Sequence, residues 1–153
     1  MKTIIRTLSI AAFLGAAALP SFAQKDSPFT DGTVYRITTV RTGANSQADY
    51  LKKLDLYWYP TLTKAKEMGL IKDFHLLAGS ASNKEDYNVM TIVELNSLAD
   101  MDPNPERDAK WKQLRDASDA QAGGKEKAQA FSSALNDIRE ILGEKVMREQ
   151  VHK

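Results

Sequence analysis

The chain has 153 residues, with 21 Lys and Arg against 20 Asp and Glu and a formal charge of +1, so no concentrated basic field points to nucleic acid or to an anionic membrane surface. It contains no cysteine, which excludes disulfides, thiol catalysis, thiolate metal sites and a lipid anchor on cysteine. What remains is one domain of ordinary size that must be stable through its core alone.

Residues 1–23 read as a secretory signal peptide. Lys2 and Arg6 give a positive start, Leu8 to Leu19 is an apolar run rich in Ala and Leu that ends at Pro20, and Ser21-Phe22-Ala23 places small side chains where a signal peptidase reads. The run is shorter than the roughly 20 residues of a transmembrane helix. The chain is therefore expected to be exported, to a bacterial periplasm or beyond, with Gln24 as the new N-terminus. Cleavage removes Lys2 and Arg6 and no acid, which leaves 21 − 2 = 19 basic against 20 acidic residues, a net charge of −1. A twin-arginine motif is missing, so export before folding, with no preloaded cofactor, is expected.

Residues 24–32 are polar, with Pro28 and Gly32, and read as a flexible lead-in. Thr33 to Arg41 is rich in β-branched residues and predicts a strand, and Thr42-Gly43-Ala44-Asn45 a turn. Ser46 opens a helix, with Asp49 placed to reach back to the Ser46 amide in a capping box. Tyr50, Leu54, Tyr57, Trp58, Leu62, Ala65 and Met68 recur at three- and four-residue steps and form one apolar stripe. Gly69 supplies a left-handed stop. Pro60 lies inside this helix and predicts either a kink or two helices meeting there.

Leu70 to Ala78 reads as a second strand, 79–86 as a polar loop and Tyr87 to Leu95 as a third strand. The loop is short enough to make the two an antiparallel hairpin. After a linker at 96–104, Pro105 is well placed as the first residue of a helix with Trp111 and Leu114 on its narrow apolar edge. Gly123-Gly124 then breaks the chain. Lys125 to Leu142 predicts a further helix, with Ala128, Phe131, Leu135, Ile138 and Leu142 on one face and Gly143 as its stop. Lys145 to Val151 reads either as a fourth strand, the preferred reading, or as a continuation of the helix through Val146.

The order strand, helix, strand, strand, helices, strand predicts an α+β, ferredoxin-like βαββαβ domain over residues 33–153, with an extra helix before the last strand. Helices then cover one face of a four-stranded antiparallel sheet. The first strand places Val34, Thr38 and Val40 on one side and Tyr35, Ile37 and Thr39 on the other; the third opposes Met90 and Ile92 to Val89, Val93 and Leu95. A sheet wetted on one side alternates more cleanly than this. Something is expected to cover the second face, and a second copy of the chain is the economical cover, giving a homodimer.

VYRITTVRTG, the helix carrying YLKKLDLYWYPTLTKAKEMG, then LIKDFHLLAG and YNVMTIVEL with the following LAD together resemble the dimeric α/β-barrel superfamily, most of all its NIPSNAP-type branch. The resemblance covers about 34–117. It implies the ferredoxin-like fold and a dimer, and it brings in a superfamily of cofactor-free monooxygenases, haem-degrading enzymes, isomerases and cyclases. Such a fold does not settle function. The helix at 125–142 and the leader depart from the pattern.

Four residues are candidates for binding a small molecule between helix 46–68 and the sheet. His75, the only histidine in a predicted element, is suited to proton exchange near neutral pH, with Asp73 two residues away to orient it; otherwise it is a hydrogen-bonded, partly buried histidine. Tyr57 and Trp58 offer an aromatic wall to a planar ligand, or plain core packing, with Tyr59 pointing outward. Arg36, among apolar neighbours, suits a ligand carboxylate, an ion pair with Glu94 or Asp73, or an edge-strand charge that blocks aggregation. Asp100, Asp102, Asn104 and Asp108 fail as a calcium loop, because Pro105 and Trp111 stand where glycine and glutamate belong. No motif calls for a metal or a cofactor. Three readings stay open: a small-molecule binder, an interaction dimer with no pocket, and a cofactor-independent monooxygenase or isomerase.

Overall fold

The computed structural model describes residues 27–153; the leader expected at 1–23 lies outside the described residues. The elements in order are β1 (Phe29–Thr42), α1 (Gln47–Glu67), β2 (Asp73–Ala78), β3 (Val89–Leu95), a 3-10 turn (Leu98–Met101), α2 (Pro105–Gln121), α3 (Lys125–Asn136) and β4 (Arg139–His152). The strands form one sheet in the order β2-β3-β1-β4, and every neighbouring pair is antiparallel. This is the ferredoxin-like arrangement with one helix added before the last strand, as the element order predicts.

Register fixes the two faces, because residues opposite one another across strands share a face and successive residues alternate. Val34, Arg36, Thr38 and Val40 of β1 stand opposite Leu95, Val93, Thr91 and Val89 of β3. This is the helix-covered face, where Val34, Val40, Val89 and Leu95 are buried. The core has two parts. One joins Leu62, Ala65, Leu70, Ile71 and Leu114; the other joins Val40, Tyr50, Leu54 and Val89. Trp58 packs against both.

α1 runs unbroken through Pro60, so the two-helix alternative does not form. Its start differs from expectation. Ser46 makes no side-chain cap hydrogen bond, and Asp49 lies 3.6 Å from Lys52 Nζ instead. A reciprocal capping box forms further on, between Ser97 and Asp100. The end of α1 is as read: Gly69 takes φ +68°, the Gly69 amide donates to the Lys66 carbonyl, and the Leu70 amide donates to the Ala65 carbonyl. These two bonds and the Leu70–Ala65 packing make a Schellman stop, which turns Leu70 and Ile71 inward. β2 consequently starts at Asp73 rather than Leu70.

Two further expectations are corrected. β1 begins at Phe29, so residues 29–32 of the expected lead-in are strand, paired with the C-terminal end of β4. α3 ends at Asn136 rather than Leu142. Arg139 to Ile141 pair with Val40 to Thr42 of β1, and that pairing overrides the helical periodicity of the segment. Gly143 accordingly sits in β4 opposite Thr39 rather than stopping a helix.

Candidate functional site

The four expected ligand residues do not share one cleft. His75 alternates with Phe74 and Leu76, which pack on the helix side, so its ring stands on the opposite, outer face beside Ile92. Its Nε2 lies 2.9 Å from Glu94 Oε1. Asp73, expected to orient it, instead binds Lys66 Nζ at 2.8 Å. That bond, followed by the Phe74 amide, holds the Asp73 carboxyl below its ordinary value. Trp58 points to the sheet and meets Phe74 edge-on at 5.3 Å. Tyr57 packs against Phe131 of α3, with ring centroids 4.0 Å apart. Tyr59 is exposed, as expected.

Arg36 lines a cavity of about 560 Å³ between the sheet and the α1–α2 layer. Its floor is apolar: Leu62, Leu70, Val93, Leu95 and Trp111. The Schellman turn after α1 brings Leu70 there, and the cross-strand partner of Arg36 brings Val93. The mouth is polar and well braced. Asp100 Oδ2 accepts from the Asn96 amide at 2.8 Å. Arg107 donates to Asp100 Oδ1 at 3.5 Å and to the carbonyls of Ala99 and Asp102. Asn104 caps α2 by accepting from the Arg107 amide at 2.9 Å. Loop 97–104 and the start of α2 are thus one unit.

The Arg36 guanidinium is poorly matched inside this cavity. Neither Glu94 nor Asp73 reaches it. Glu144 Oε1 approaches Nε to only 3.6 Å, with both side chains partly exposed, and NH2 lies 3.6 Å from Met101 Sδ. Its Nε is buried and has no hydrogen-bond partner. Among the described residues one other side-chain atom shares that condition, Arg139 Nε, and Arg139 is among the residues lining a second cavity with Tyr57 and Trp58. Sequence reading placed Arg139 in a helix and gave it no role. Asp100 and Arg107 were equally hidden, although Ser97-x-x-Asp100 is itself a capping-box pattern.

No family model matches the chain, and no curated protein matches it. Similar solved structures include HapK from Hahella chejuensis, with 13% identity and a TM-score of 0.44 over 76% of this chain and 91% of that one. A dimeric ferredoxin-like protein from an uncultured marine organism has 17% identity and a TM-score of 0.44 over 85% of this chain and 95% of that one. Neither likeness bears on ligand or assembly here. Among the described residues no helix is long and apolar enough to cross a membrane.

Proposed function

We propose that the protein binds a small organic acid with an aliphatic body in the cavity between the sheet and the α1–α2 layer, its carboxylate meeting Arg36. The supporting observation is Arg36 itself: a guanidinium on the helix-facing side of a central strand, whose buried Nε has no hydrogen-bond partner and whose nearest carboxylate, Glu144, stands 3.6 Å away. Unmet buried donors are rare because they are costly, and a guanidinium fork is matched to a carboxylate. Leu62, Leu70, Val93 and Trp111 supply the surface for an apolar body. Three arginines and three aspartates line the cavity, so selectivity rests on the local Arg36 contact rather than on a net field. The reading is one of binding rather than catalysis, since the histidine that would exchange protons lies across the sheet.

Calorimetric titration of the mature chain with octanoate is expected to show saturable binding, and Arg36→Met to weaken it by about ten- to hundredfold, the worth of a charged hydrogen bond. Equal affinity for octanol, or unchanged octanoate binding in the variant, contradicts the proposal.

The setting is proposed alongside. We infer export, with cleavage after Ala23; the mass of the secreted product is expected to begin at Gln24, and a retained leader overturns this. The outer face of the sheet is read as the seat of a homodimer, and the chain as a relative of the NIPSNAP-type branch, on the segments quoted above.

A further inference from the structure

We infer a second ligand site, for a planar aromatic acid, in the cavity of about 330 Å³ among the helices. This goes beyond the Arg36 cleft. Three observations meet there. The first is an aromatic wall: Tyr57 and Phe131 pack with their planes tilted by 44°, and Trp58 lines the same cavity. The second is charge. Lys53 and Arg139 line the cavity against the one acid, Asp119, and Lys53 Nζ sits 5.0 Å from the Phe131 ring centroid.

The third observation is Arg139. Its terminal nitrogens are held on both sides, NH1 donating to Tyr50 Oη at 3.3 Å and NH2 to Asn136 Oδ1 at 3.1 Å. The guanidinium is therefore fixed in place, yet its Nε is buried with no acceptor. The positive charge that this fixed guanidinium brings to the cavity lining suits one anionic oxygen. A flat ring attached to that oxygen would extend along Tyr57 and Phe131, where a ring face gains stacking that a saturated ring lacks. The site depends on α3, the helix added to the ferredoxin-like plan, which contributes Phe131.

Each of the two tryptophans of the chain lines a different cavity, Trp58 this one and Trp111 the Arg36 cleft. In Trp111→Phe protein the remaining tryptophan therefore reports on the helical cavity. Benzoate is expected to change its fluorescence saturably, with cyclohexanecarboxylate and benzyl alcohol each at least about tenfold weaker. Arg139→Met and, on the surface of α1, Lys53→Met are each expected to weaken benzoate binding by about tenfold or more. Arg139 also touches Tyr50, so Lys53→Met serves if the Arg139 variant does not fold. Absence of a saturable signal from Trp58, or unchanged affinity in Lys53→Met, overturns the second site. Octanoate binding at Arg36 is a separate measurement that neither outcome affects.

Discussion

Replacing Tyr50 by alanine is expected to cost about 3–5 kcal/mol of folding stability, a large part of the roughly 5–15 kcal/mol that holds a domain of this kind together. Tyr50 is 1% exposed and lies against Val40, Leu54 and Val89, at the centre of the part of the core nearest the turn into α1. Its hydroxyl accepts from Arg139, and the Arg139 guanidinium lies 5.8 Å from its ring centroid. The alanine variant loses the ring, opens a cavity and frees Arg139 at once. Tyr50→Phe keeps the ring and loses only the hydroxyl, so about 1–2 kcal/mol is expected. Urea unfolding separates the two: both midpoints fall with little change in slope, the alanine midpoint much further. Similar losses in the two variants would mean that the ring is not packed as described.

The strands and α1 were legible because their patterns are local. β-branched runs marked β1 and β3, and the stripe from Tyr50 to Met68 marked a helix whose buried members are Tyr50, Leu54, Leu62 and Ala65. The end of α3 was not legible. Residues 138–142 continue a helical stripe, and only the pairing of Arg139 to Ile141 with β1, about a hundred positions away, draws the segment from Arg139 into β4. The candidate site divides in the same way. Arg36 stood out as a charge among apolar strand neighbours, and it does line a cavity. His75 was grouped with Tyr57 and Trp58 because β2 carries apolar residues at both parities, Phe74 and Leu76 on one side and Leu77 on the other. The sequence of β2 alone cannot say which side the helices take. Arg139 and the link from Asp100 to Arg107 depend on contacts between elements, and the one local signal there, the capping-box spacing of Ser97 and Asp100, speaks of a helix start and not of a site.

Ile37→Asp is expected to convert a dimer into a folded monomer. By register, Tyr35, Ile37 and Thr39 of β1 share the outer face with Met90 and Ile92 of β3, Leu77 of β2 and Met147 of β4. Among the described residues no helix packs on this side, and Leu77 and Met147 are each 52% exposed. Lys145 stands opposite Ile37 and Glu94 opposite Tyr35 on the same face, so the face is mixed, and the exposed apolar side chains gathered on it mark an interaction site. The face carries both signs, with His75 paired to Glu94 and Arg41 to Glu140, which suits a surface that meets its own copy. In a two-fold dimer each substitution enters the interface twice. An unpaired buried carboxylate costs about 3–5 kcal/mol, so the pair would cost about twice that, enough to dissociate an ordinary dimer at micromolar concentration. Sedimentation equilibrium is expected to give twice the chain mass for the mature protein and the single mass for Ile37→Asp. Leu56→Asp, on the exposed side of α1, is expected to leave the dimer intact. A monomeric parent, or a dimer that tolerates Asp at position 37, would remove the second subunit as the cover of this face.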